Sequence, residues 1–94
     1  MRNYEGVFIF ETSLEEEKRN GIFDKFKNII EAKGEITNID EWGVRKLAYE
    51  INDLTEGYYI VMTFNSETEV VKELERVAKI TEGIMRLMVV RDEQ

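Results

Sequence analysis

The chain has 94 residues, with 20 acidic and 13 basic side chains for a net charge of −7, and it contains neither Cys nor His. That composition excludes disulfides, iron–sulfur clusters, thiol catalysis and the usual zinc, haem and Ser-His chemistries. The length predicts one domain, residues 1–94, built on a single core.

Residues 4–11, YEGVFIFE, read as a strand apolar on both parities, with Tyr4, Phe8 and Phe10 on one side and Val7 and Ile9 on the other. Two-sided apolarity predicts a central position. Ser13, with Glu16 three positions on, has the pattern of a capping box, and a helix is expected from there to about Lys33. Leu14, Ile22, Phe23, Phe26, Ile29 and Ile30 recur at helical spacing, and Gly34 is placed as a left-handed terminator.

From Glu35 to Ile51 the pattern is extended again, but its apolar parity changes more than once. Such changes predict a long strand with a bulge, and Gly43 is the residue that tolerates one. A polar turn is expected over NDLTEG, residues 52–57, followed by a strand over YYIVMTF, residues 58–64, so that the two strands form an antiparallel hairpin. Ser66 and Glu69 repeat the capping-box pattern ahead of a helix with an apolar stripe of Val70, Val71, Leu74, Val77 and Ala78. Gly83 follows that helix, and IMRLMVVR, residues 84–91, reads as the last strand.

The order β-α-β-β-α-β predicts the α+β class and the ferredoxin-like sandwich, a four-stranded antiparallel sheet with two helices on one face. The first and third strands are central in that arrangement. Its other sheet face stays open, and apolar or aromatic side chains there mark a contact surface. The longest apolar runs, YYIVM and LMVV, are far shorter than the roughly 20 residues that span a bilayer, and MRNYEG lacks a signal-peptide core. The chain therefore reads as cytoplasmic, with no membrane among its partners.

Charge is distributed unevenly. Most carboxylates fall in predicted helices and loops, whereas Arg2, Arg45, Lys46, Arg86 and Arg91 fall in or beside predicted strands. Arg45 and Lys46 stand together between Trp42 and Val44 on one side and Leu47, Tyr49 and Ile51 on the other. Strand cations of this kind serve either as contacts to nucleic-acid phosphates and sugars or as edge charges that block strand-to-strand aggregation. Tyr4 reads either as a ring and hydroxyl for RNA or as core. Tyr58 and Tyr59 are adjacent and face opposite ways, which makes them a weak match to sheet-stacking RNA modules. The carboxylate runs LEEEK and EVVKELERV read as solvated helix faces with i, i+4 support.

The start MRNYE, the strand WGVRKLAYEI, the following GYYIV and the ending IMRLMVV, in this order and spacing, resemble the bacterial small-subunit ribosomal protein S-six family over nearly the whole chain. The resemblance implies the ferredoxin-like fold, no enzymatic activity and no cofactor. It implies binding to the central domain of small-subunit rRNA in a heterodimer with the small basic ribosomal protein S-eighteen. The match to the family motif favours Arg45 and Lys46 as rRNA-binding, and Arg2, Tyr4, Arg86 and Arg91 are the further rRNA-binding candidates, read from their places at or within strands. Val7, Ile9, Tyr49, Tyr59 and Met88 are the candidates for the partner protein. The family often has Pro where this chain has Glu50, which bears on the local turn, and the extended acidic tail of some members is here only DEQ.

Two other readings suit the same fold. An acylphosphatase-like hydrolase needs an anion-binding loop after the first strand. That loop here reads ETSLEEE, whose carboxylates repel such a substrate. A ligand-sensing domain that dimerises through sheet edges is the other; it ordinarily accompanies a further domain, and the chain's solitary length argues instead for an assembly subunit without a small-molecule substrate.

Overall fold

The computed structural model describes residues 2–51 and 54–91, with only the backbone of Ala48. The elements are β1 (Arg2–Phe10), α1 (Glu16–Glu31), β2 (Gly34–Ile51), β3 (Leu54–Ser66), α2 (Thr68–Ile80) and β4 (Ile84–Arg91). The sheet has four strands in the order β2-β3-β1-β4, every neighbouring pair antiparallel. The first and third strands are central, as their two-sided apolarity predicts.

Strand alternation sends Tyr4, Phe8 and Phe10 of β1 and Ile60, Met62 and Phe64 of β3 to one face, where both helices cover them. From α1 come Phe23, Phe26 and Ile30, and from α2 Val70, Leu74 and Val77, each set at helical spacing. Aromatic rings dominate the packing. Phe8 meets Phe26 at 5.2 Å and Phe23 edge-on at 5.6 Å between ring centroids. Such pairs add about 0.5–1.5 kcal/mol beyond the area they bury.

The helix starts differ from the capping-box expectation. A turn from Glu11 to Leu14, closed by the Leu14 N–H on the Glu11 carbonyl at 3.2 Å, takes up Ser13, and α1 begins with Glu15 as N-cap. Ser66 pairs with both Arg2 and Gly34 as the last residue of β3, and its hydroxyl donates to the Glu67 carbonyl at 3.1 Å. Glu67 is the N-cap of α2, and neither helix has a side-chain cap bond. Carboxylates in the first turns, Glu16 and Glu17 in α1 and Glu69 in α2, face the positive helix ends instead.

Gly34 is likewise corrected. The helix ends at Glu31 with Ala32 as C-cap, and Gly34 opens β2 without a left-handed backbone. Its missing side chain answers to crowding, since a Cβ there would meet the Asn65 carbonyl and stand 2.9 Å from the Ser66 Cβ. Gly83 does adopt a positive φ, 96°, between α2 and β4. The Glu11 N–H donates to its carbonyl at 2.9 Å, tying the end of β1 to the start of β4.

Strand β2 is 18 residues long and slips against β3 between Ile36 and Asn38 and again between Glu41 and Gly43. Thr37 and Trp42 are the extra residues, and each reverses the alternation that follows. Gly43, with φ 78°, relieves the second bulge as expected. The hairpin is longer than predicted. Residues 54–57 of the expected polar turn are strand, while residues 52 and 53 lie outside the described residues. Because β1 reaches only to Tyr58 of β3, the paired segments beyond it form a two-stranded arm past the sheet.

Candidate nucleic-acid and partner interface

The arm carries the cationic pair. Arg45 stands opposite Gly57 and Lys46 opposite Glu56, so alternation turns Arg45 to the open face and Lys46 to the helix face of edge strand β2. Both are exposed, and among the described residues neither forms a salt bridge. Among the described residues Arg45 donates only to the adjacent Val44 carbonyl, at 3.1 Å. Exposed Val44, Tyr49 and Leu54 accompany them on the arm.

The other candidate cations do not gather there. Arg86 lies on the opposite edge strand, facing Ile9 on the open side. Arg2 and Arg91 sit at the far end of the sheet from the arm. Arg2 donates to the Thr68 hydroxyl at 3.5 Å, which leans it toward α2. Arg45, Lys46 and Arg86 thus occupy one half of the sheet, Arg2 and Arg91 the other.

Tyr4 departs from the RNA assignment. Its ring is buried, 5.6 Å from the Phe64 ring, and its hydroxyl shares a hydrogen bond of 3.2 Å with Thr68. No face is left for stacking a base. Tyr4 is a core residue that joins β1 to the start of α2.

The open sheet face is polar at one end and apolar in the middle. At the polar end Asn65 donates to the Asn3 side chain at 2.7 Å, beside Glu5 and Glu35. The middle holds half-buried Val7 and Tyr59 with exposed Met88, and these three candidates share one band. Ile9 is a correction: it is 2% exposed, tucked against Gly57 near Leu47, and supports the band from beneath. Tyr49 stands apart on the arm, 81% exposed.

Trp42 is the member of this surface that the sequence reading treated only as a strand residue. The bulge delivers its ring onto Tyr59, with centroids 6.1 Å apart and planes 13° from parallel. Its indole N–H donates to the Asp40 carboxylate at 2.9 Å. The signal was the parity change before Gly43, but which tyrosine would receive the ring depends on the β2–β3 register.

On the other side of the same strands, Glu41 and Tyr58 face α1. The Tyr58 hydroxyl donates to Glu41 at 2.7 Å, and the Arg19 guanidinium lies over the Tyr58 ring. The hydrogen bond to the Glu41 carboxylate raises the Tyr58 pKa, burial adds to the rise, and the Arg19 charge opposes it. The outer surfaces of the helices are solvated and carry acids and bases in equal number on each helix. On α2, Arg76 grips Glu73 through two hydrogen bonds of 2.7 and 3.0 Å, which lowers the Glu73 pKa and raises that of Arg76.

Nothing in the loop after β1 suits an acyl phosphate. The N–H groups of Glu11 and Leu14 are spent on the Gly83 and Glu11 carbonyls, and Glu15, Glu16 and Glu17 are exposed around them. Among the described residues no three carboxylates gather as a metal site. The surface offers cations on a projecting arm and an aromatic, apolar band beside it.

The family described as Ribosomal protein S6 matches residues 3–91. The chain is 54% identical to the small ribosomal subunit protein bS6 of Thermoanaerobacter pseudethanolicus, over 100% of both chains. It is 52% identical to the bS6 of Clostridium novyi, again over 100% of both. The crystal structure of 30S ribosomal protein S6 from Thermotoga maritima superposes with a TM-score of 0.88 at 35% identity, covering 97% of this chain and 87% of that one.

Proposed function

Since the chain belongs to the ribosomal protein S6 family, we propose that it binds the central domain of small-subunit rRNA as a heterodimer with the small basic ribosomal protein S-eighteen. It is a small ribosomal subunit protein and not an enzyme, and it works in the cytoplasmic ribosome. The observation that carries the finer reading is the separation of two surfaces, a cationic pair on the projecting arm and an apolar band on the open face of the sheet. The exposed pair Arg45 and Lys46 on the arm meets RNA, and the band of Val7, Tyr59 and Met88 meets the protein.

Charge supplies the reason for a heterodimer. A chain of net charge −7 has little unaided affinity for phosphates, because that affinity comes from Lys and Arg displacing counterions. It attracts a cationic protein and disfavours indiscriminate RNA binding. The two chains together make the RNA site, with Arg86 as a further contact beyond the arm and Arg2 and Arg91 as outlying ones.

The test is binding of a central-domain rRNA fragment by the chain alone and with S-eighteen, across a salt series. Wild type is expected to bind tightly only with the partner. The Arg45→Ala, Lys46→Ala double variant should lose most of that affinity and flatten the log–log salt slope by about 1–2. Tight unaided binding by wild type would contradict the heterodimer. Equal binding by the double variant would leave the pair as edge protection and shift the RNA surface to Arg2 and Arg86.

A further inference from the structure

The chain contains, on its helix side, a complete arrangement for holding a guanidinium. Arg19 lies 3.7 Å from the centroid of the Tyr58 ring, and the carboxylate of Glu41 is hydrogen-bonded to that ring's hydroxyl. One residue away on each strand, alternation presents the same chemistry to the open side. Asp40 precedes Glu41 and Tyr59 follows Tyr58, with Trp42 stacked on Tyr59 and bonded to Asp40. Among the described residues no cation stands over Trp42. Arg45, the nearest along β2 on this face, is turned to the Val44 carbonyl.

We propose that Trp42 and Asp40 form a receiving site for an arginine side chain of a basic polypeptide. This rests on the reading above that the open face meets a basic protein. The Trp42 plate is held at one face by Tyr59 and at its N–H edge by Asp40, yet the residue remains 43% exposed. A guanidinium laid on the free face gains the attraction of the ring quadrupole, strongest for Trp among the aromatics. The Asp40 oxygen that does not accept from Trp42 is available for a charge-assisted hydrogen bond.

Charge decides the class of occupant. A nucleotide base also stacks on an aromatic plate, but it brings a phosphate toward Asp40 on a chain of net charge −7. An arginine brings the complementary charge. Arg is favoured over Lys because its planar group both stacks and forks.

Trp42 is the single Trp of the chain, so its fluorescence reports on the site directly. The full chain is titrated at low salt with triarginine amide, trilysine amide and a short oligouridylate. Triarginine is expected to quench Trp42 at concentrations several-fold below trilysine, with no comparable effect of the oligouridylate. Asp40→Asn keeps an acceptor for the indole N–H and should weaken triarginine about fivefold or more. Glu75→Gln removes the same charge on α2 and should change it less than twofold. Calorimetry on Trp42→Leu, with circular dichroism to verify the fold, should show loss of the binding.

Equal effects of triarginine and trilysine, indifference to Asp40→Asn, or quenching by oligouridylate in their place would each overturn the proposal. Assembly with S-eighteen is scored separately. If wild type assembles and Asp40→Asn assembles equally well, the arginine site falls and the heterodimer stands. If wild type fails to assemble, the heterodimer falls and the peptide titrations still decide the site.

Discussion

Arg19 and Tyr58 form a cation–π pair, the guanidinium carbon 3.7 Å from the ring centroid, and it joins α1 to β3 at the root of the arm. Among the described residues the buried Nε of Arg19 finds no hydrogen-bond acceptor, and the ring face compensates its loss of water. Arg19→Ala is expected to destabilise the fold by about 1–2 kcal/mol. Urea unfolding checks it, with the midpoint lowered and the slope unchanged. Arg19→Lys should recover only part, because an ammonium lacks the plane that lies on the ring.

Tyr58 makes stability depend on alkaline pH. Its pKa is raised above 10.0, first by donating to the Glu41 carboxylate and then by burial. The folded state therefore holds this proton more tightly than the unfolded chain. The resulting stabilisation is complete below the unfolded value and disappears as pH rises through the higher folded one. The stability difference between wild type and Tyr58→Phe should be constant from about pH 7 to 9 and shrink above about pH 10. A difference that stays constant to pH 11 would sink this assignment.

Two glycines should respond oppositely to the same change. Around Gly21, in the exposed middle of α1, an added Cβ meets nothing within 4 Å. Gly21→Ala is expected to stabilise by about 0.5–1 kcal/mol through helix propensity and a less free unfolded chain. At Gly34 the same methyl presses on the β3 backbone and the Ser66 side chain, and overpacking should cost about 1–3 kcal/mol. Thermal unfolding of both variants gives midpoint shifts of opposite sign.

Phe26 measures the core. It is fully buried between Phe8 and the helix layer, so Phe26→Ala should cost about 3–5 kcal/mol in denaturant unfolding. A loss below about 2 kcal/mol would mean that Phe8 and Phe23 close the space.

The element order and the central strands were legible because they rest on local periodicity. Phe8 and Phe10 alternate, and Phe23, Phe26 and Ile30 follow a helical turn. The caps were misread because Ser13 and Ser66 satisfy a spacing rule, while their backbones were claimed by a turn and by two strand ladders. Residues 54–57 looked like a turn because an arm outside the sheet has no buried face to impose alternation. Tyr4 followed the alternation of Phe8 into the core, which outweighed the reading that made it an RNA candidate. The contact of Trp42 with Tyr59 needed the register of β2 on β3, which no local pattern encodes.

The paired bulges in β2 set a rule for insertions and deletions. Between Thr37 and Trp42 the strand runs one step out of phase, and beyond Trp42 the original phase returns. Because each is an extra residue with no partner position of its own on β3, removing either alone closes its bulge and leaves Val44 and Lys46 on the helix face and Arg45 on the open face. Removing both would keep that end of the strand in phase and shorten it. The facing of the distal cations is therefore set by their pairing with β3, and a single-residue length change is neutral to it wherever a bulge opens or closes to absorb that residue.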